Sequence, residues 1–171
     1  STPTVDAQHV YMAFMGPAGV TLQALDHDGQ WVWIRDDFGP NPSMPGFGAT
    51  PVVYDGKVIL YNEQLAPKEG AKETSVVIAL DADTGETVWE TPRISATSSY
   101  CCPCLRQTSD GRAELINCST AHGIYSLDLE SGEENWAADV FERRCVGSPI
   151  LFGDLVLGAN GSGGGGNFAV A

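Results

Sequence analysis

Basic residues are scarce. The chain of 171 residues has 9 Lys and Arg against 22 Asp and Glu, a formal net charge of −13. A nucleic-acid binder needs a basic patch to neutralise phosphates, and docking on an anionic bilayer makes the same demand. Nine dispersed cations form no such patch, so neither partner is expected. No apolar run approaches the ~20 residues of a membrane-spanning helix, so no membrane insertion is expected. Histidine is limited to 3 scattered residues, and no Ser-His-Asp set can be assembled from them. The first residue is Ser, and the residues given contain no signal-peptide pattern. On that ground the chain is read as processed, or as an excerpt of something longer. Five Cys is an odd number, so at least one is unpaired within the chain.

Turn chemistry is abundant. With 20 Gly and 10 Pro, 43% apolar and 18% charged residues, the composition is globular and favours many short strands over long helices.

The chain repeats itself. Segments 24–33 (ALDHDGQWVW), 79–89 (ALDADTGETVW) and 126–136 (SLDLESGEENW) align. Each has a small residue, Leu-Asp, a polar turn with Gly, and Trp four residues beyond that Gly. The glycines are Gly29, Gly85 and Gly132, and the tryptophans Trp33, Trp89 and Trp136. The glycine spacings of 56 and 47 are close to the ~40–50 residues of a propeller blade. A second element opens the blades at 1–5 (STPTV), 49–53 (ATPVV) and 147–151 (GSPIL), and less cleanly at 96–100 (ATSSY). Asp55-Gly56 and Asp110-Gly111 are hairpin turn signals.

The expected fold is therefore all-β: a β-propeller of four-stranded antiparallel blades, incomplete as a ring. The blades run over about 1–36, 48–93 and 96–141, with a fourth at 147–171 that stops three strands in. Leu of the repeat faces the space between blades. Its Asp bonds nearby amides and sets the turn, and its Gly takes a left-handed backbone. Its Trp covers the seam between blades and seeks a carbonyl for its N–H. Repeated once per blade, this Trp reads as glue rather than as a ligand contact.

The pattern resembles the tryptophan-docking repeat of quinoprotein-like (PQQ-like) propellers, most closely at 79–89. The resemblance covers almost the whole chain. It implies a fold shared by alcohol dehydrogenases that bind pyrroloquinoline quinone (PQQ), by a non-catalytic outer-membrane assembly lipoprotein, and by many secreted propellers with no assigned role. The stretches 114–136 and 147–166 look most like the last group. Fold alone does not settle function.

Cys101-Cys102 is the one pair that bears on quinone chemistry. Dehydrogenases of this superfamily hold adjacent cysteines against the cofactor, with calcium beside it. Here the pair is followed by Pro103-Cys104, and the reading places it on a strand inside a blade. No matching acidic, Asn and Arg constellation and no haem-attachment motif accompanies it. A plainer reading uses the hairpin. If 109–111 is a three-residue loop with Gly111 left-handed, Cys102 lies opposite Cys118, a register that suits a cross-strand disulfide in an oxidising compartment. Cys101, Cys104 and Cys145 are then left over. The C-C-x-C spacing is poor for zinc. Asp26-His27-Asp28-Gly29 and 81–86 offer too few oxygens for calcium and read as hairpin turns. The glycines at 161–166 lack the Gly-Lys-Ser/Thr ending of a phosphate loop and bridge two strands. Arg143-Arg144 reads as a solvated pair.

The expected function is a periplasmic or secreted scaffold, with no catalytic, cofactor or metal site of its own. It would bind a protein, a small molecule or a saccharide through the loops at the blade ends. The open blade edges imply self-association. The alternative is a fragment of a PQQ-dependent oxidoreductase with Cys101 and Cys102 at the cofactor.

Overall fold

The computed structural model describes residues 1–16, 19–39, 47–63, 75–95, 98–162 and 165–171. They are all-β: none of the described residues is helical, and no helix is long and apolar enough to cross a membrane. Four antiparallel sheets follow one another along the chain. The first is β1 (Thr4–Val5), β2 (His9–Gly16), β3 (Gly19–Asp26) and β4 (Trp31–Arg35). The second is β5 (Val52–Tyr54), β6 (Lys57–Asn62), β7 (Val76–Asp81) and β8 (Thr87–Pro92). The third is β9 (Cys104–Gln107), β10 (Ala113–Ser119), β11 (Gly123–Asp128) and β12 (Glu134–Ala138). The fourth has three strands, β13 (Ile150–Phe152), β14 (Leu155–Ser162) and β15 (Gly165–Val170). Each sheet is a meander in chain order, which is the architecture of propeller blades in an incomplete ring.

The turns follow their residues. Asp55 and Gly56 both have positive φ, 44° and 70°, as a two-residue hairpin requires. At the tip of β9–β10, the Thr108 N–H donates to the Arg112 carbonyl and Gly111 has φ 89°, so 109–111 is the three-residue loop expected. In the repeat turns Asp26, Asp81 and Asp128 each accept from backbone N–H groups two to four residues on. One carboxylate oxygen of each, Oδ1, is thus committed to holding the turn. Between third and fourth strands the register slips at one equivalent place in three blades, between Ala24 and Leu25, Ala79 and Leu80, and Ser126 and Leu127. This bulge twists the fourth strand and aims the Trp at the neighbouring blade.

Strand alternation gives every blade two faces. Ladder partners Ile59, Ala79 and Trp89 share one face of the second blade and pack toward the third. Val58, Leu60, Ile78 and Leu80 share the other and pack toward the first, against Tyr11, Leu22 and Ala24. The same tryptophan-side to opposite-side contact joins the third blade to the fourth, where Ile124 and Cys118 meet Gly158. Two faces stay outward. On the first blade Val5, Phe14, Trp31 and Ile34 are exposed; on the fourth, Ile150, Phe152, Leu155 and Leu157.

Candidate functional site

The seams between blades hold the chemistry-bearing residues. At the first seam the Trp33 Nε1–H donates to the Ala82 carbonyl at 2.9 Å, and its ring lies over Gly85. At the second the Trp89 Nε1–H donates to the Leu129 carbonyl at 3.1 Å, and its ring lies over Gly132. Two residues beyond each Trp a side chain completes the clasp. Arg35 Nη1 donates to the Gly85 carbonyl and Thr91 Oγ1 to the Gly132 carbonyl. Trp136 differs. It is half-buried beside a cleft of about 370 Å³ that also touches Ile124, Val156 and Val170, and no acceptor among the described residues faces its Nε1.

A buried polar layer lies between the second and third blades. Glu63 follows directly on β6 and is 4% exposed. Its carboxylate accepts from the Tyr61 hydroxyl on its own blade and from the Ser119 hydroxyl on the next. Arg93 donates through Nη1 to Glu134 at 2.8 Å, and its guanidinium lies 4.1 Å above the Tyr125 ring. The Tyr125 hydroxyl in turn accepts from Asn117. Burial raises the pKa of both Tyr61 and Tyr125, so both stay protonated. His122 packs edge-on against Tyr125 and accepts from the Ile94 N–H through Nε2. Burial, then the nearby Arg93 charge, lowers its pKa, so the imidazole is held neutral.

Cys101 joins this layer and is not on a strand. The ladder of β9 and β10 ends at Cys104 opposite Ile116, leaving Cys101, Cys102 and Pro103 in the connection ahead of β9. The expected placement of the pair on a strand is corrected accordingly. Pro103 has no N–H to give a ladder, which accounts for the break. The register would bring Cys102 opposite Cys118 if pairing continued. Instead the Cys102 N–H donates to Ser148, while the single S–H of the fully buried Cys101 is shared between the Cys118 carbonyl at 2.8 Å and Asn117 Oδ1 at 3.0 Å. All five cysteines are free thiols in this arrangement. Burial pushes the Cys101 thiol well up, and Cys118 and Cys145 up to about 12; Cys102 and Cys104 rise less. None is a ready thiolate nucleophile.

The sequence reading missed the asparagine at or near the end of the second strand of three blades: Asn62, Asn117 and Asn160, all buried. Each ties down the connection arriving from the preceding blade. Asn62 Nδ2 donates to the Phe38 carbonyl. Asn117 takes the Cys101 thiol. Asn160, with its amide oriented to satisfy both ends, accepts from the Glu142 and Arg143 N–H groups. The recurrence of Asn at one place per blade is visible in the sequence and was the signal available. Glu63 and Arg93 have no repeat partner and carry no such signal.

The remaining candidates fall apart spatially. Asp26 and Asp81 cap their own turns, and no group of three or more His, Cys, Asp or Glu able to hold a metal occurs among the described residues. Arg143 is exposed, but Arg144 is half-buried with its guanidinium 5.3 Å from the Tyr100 ring, so the pair is not simply solvated. Of the glycines at 161–166, positions 163–164 lie outside the described residues, as do 96–97 of the third blade opening.

Blades of this topology, clasped by an indole over a glycine turn, define a protein of the quinoprotein-like propeller class. The family model of the outer membrane protein assembly factor BamB matches residues 1–165, and the chain belongs to that family. BamB from Moraxella catarrhalis has a similar structure, with a TM-score of 0.61 at 19% identity over 92% of this chain and 42% of that one. A europium-containing methanol dehydrogenase gives 0.54 at 17% identity over 80% and 24%. The computationally designed Ika4 protein gives 0.55 at 14% over 99% and 91%. The chain thus spans less than half the length of the BamB structure. No curated protein matches it.

Proposed function

We propose that the chain is a non-catalytic scaffold of the periplasm or the extracellular space, binding protein partners through the loops at its blade ends and its outward blade faces. Membership of an assembly-factor family supports this reading. The observation that carries it is the setting of Cys101. A cysteine pair that meets a quinone must present both sulfurs on one open surface. Here the Cys101 thiol is enclosed and spent on Asn117 and the Cys118 carbonyl, holding an inter-blade connection in place. The half-buried Cys102 has its closest acceptor in the Pro103 carbonyl at 3.6 Å. These residues do not fit a PQQ site. The acidic surface and the apolar outward faces suit association with polypeptides better than with polyanions.

Equilibrium dialysis against PQQ with calcium tests the reading. The expected result is no retained quinone absorbance above that of a denatured control. Stoichiometric uptake that is lost in Cys101→Ser would overturn the scaffold reading in favour of an oxidoreductase fragment.

A further inference from the structure

Among the described residues, Asp55 is the one non-glycine residue in the left-handed region, with φ 44°, and Gly56 beyond it has φ 70°. Together they form the exposed tip of the β5–β6 hairpin. An Asp-Gly or Asn-Gly step is chemically reactive, because a glycine nitrogen, unshielded by a side chain, can reach the carbonyl carbon of the preceding side chain. The sequence has such steps at 28–29, 55–56, 110–111 and 160–161. The fold ties down all but one. The Gly29 N–H donates to the Asp26 carbonyl at 3.0 Å, and the Gly111 N–H to the Thr108 carbonyl at 3.0 Å. The Asp110 carboxylate also holds the Arg112 guanidinium at 2.9 Å. At the last step the Gly161 N–H donates to the Arg144 carbonyl at 3.1 Å, and the buried Asn160 amide holds the Glu142 and Arg143 N–H groups. At the hairpin tip, by contrast, no hydrogen-bond partner among the described residues engages the Asp55 carboxylate or the Gly56 N–H.

We propose that Asp55-Gly56 is a covalent modification site, where the folded chain forms a cyclic imide and isomerises to L-isoaspartate, and that this change loosens the first seam between blades. The Gly56 nitrogen attacks Asp55 Cγ. The amide proton and the hydroxyl of the protonated carboxyl leave as water, closing the ring. Water then adds to either ring carbonyl. Opening at Cγ restores aspartate. Opening at the α-carbonyl leaves the main chain running through Cβ and Cγ, with a free α-carboxylate. One water leaves and one returns, so no oxidant or cofactor is needed. The positive φ of Asp55 favours the product, because a left-handed L-residue is strained and isoaspartate escapes that geometry. The added main-chain methylene does not fit a two-residue turn. Two hydrogen bonds in series carry its effect to the seam. The Gly56 carbonyl accepts from the Ala82 N–H at 2.8 Å, and the Ala82 carbonyl accepts from the Trp33 Nε1–H at 2.9 Å.

The test ages the full chain at physiological temperature, one portion folded and one in urea. Isoaspartate is located by peptide mass spectrometry, and by methyl transfer from labelled S-adenosylmethionine with an isoaspartate-specific carboxyl methyltransferase. In the folded portion it should accumulate at position 55 at least about tenfold faster than at 28, 110 or 160, since those three must first open locally. In urea that bias should vanish. Folded chain that ages as fast at any of the other three steps, or that keeps Asp55 intact once the urea portion has converted, overturns the proposal. Asp55→Asn keeps a favoured hairpin turn and should reach the same product sooner, because ammonia leaves more readily than water. Equal rates in the two chains overturn the imide route. In the aged 15N-labelled chain the Trp33 indole N–H resonance, assigned with Trp33→Phe, should move while that of Trp89 stays. An unmoved Trp33 resonance overturns the coupling to the seam. None of these readouts involves quinone or a partner, so the scaffold reading stands or falls separately.

Discussion

The indole of Trp89 covers Gly132 so closely that a Cβ there would lie 2.4 Å from the ring, while a Cβ on the equivalent Gly29 would meet nothing within 4 Å. The two glycines share a left-handed φ, 74° and 79°. They differ only in what lies above them.

That difference separates backbone strain from packing. Gly29→Ala should cost about 1 kcal/mol, from the positive φ alone. Gly132→Ala should cost about 1–3 kcal/mol more, because the ring must move. Urea unfolding of the two variants measures both; equal losses would contradict the seam described here.

The hydrogen bond of the seam can be isolated from its packing. Trp89→Phe keeps a ring over Gly132 but leaves the Leu129 carbonyl without the donor at 3.1 Å. The expected loss is about 1–3 kcal/mol, against about 3–5 kcal/mol for Trp89→Ala. Trp136→Phe, which removes no such bond, should be close to neutral in the same assay.

Glu63 ties two blades together through buried hydroxyls. Glu63→Ala strands both Tyr61 and Ser119 and should cost about 2–5 kcal/mol. Glu63→Gln keeps one acceptor and should cost less. Thermal unfolding by circular dichroism ranks them.

Acid should weaken the fold in two stages. The unfolded His122 takes a proton near 6.5, whereas the folded one resists until a lower pH. The unfolded state therefore gains protons first, and stability falls as pH drops below 6.5. Asp81, held low chiefly by the Thr84 N–H, and Asp128, held low by the Ser131 and Glu130 N–H groups, have folded pKa values below 3.8. Their contribution is complete above 3.8 and is lost as pH falls through the folded values. His122→Gln should flatten the upper stage and spare the lower, as read from Tm against pH.

Thiol accessibility should sort the cysteines. In the native chain, dithionitrobenzoate at pH 8 should modify the half-buried Cys102 and Cys104 first. Cys101, Cys118 and Cys145 should react only on unfolding. Early modification of Cys101 would refute its enclosed position.

The blades were legible from sequence because a 47- to 56-residue period is a one-dimensional property, and each Asp, Gly and Trp of the repeat answers a local or nearest-neighbour demand. The 109–111 loop was legible for the same reason. Two things were not. Hairpin register was extended past Pro103 to Cys102, where the missing N–H breaks the ladder and swings Cys101 inward. The Glu63, Arg93 and Tyr125 layer depends on which residues of different blades come face to face, and no single blade encodes that. Asn62, Asn117 and Asn160 fall between: periodic, but meaningful only once the connections they tether are seen.

Because each seam joins a tryptophan side to the opposite side of the next blade, the stack has a direction, like a row of cups. The outward face of the first blade and the outward face of the fourth are different surfaces. No two-fold axis can pair either face with its own copy and reproduce a seam. A seam built on either face is therefore heterologous, and each seam added in this way continues the stack in one direction.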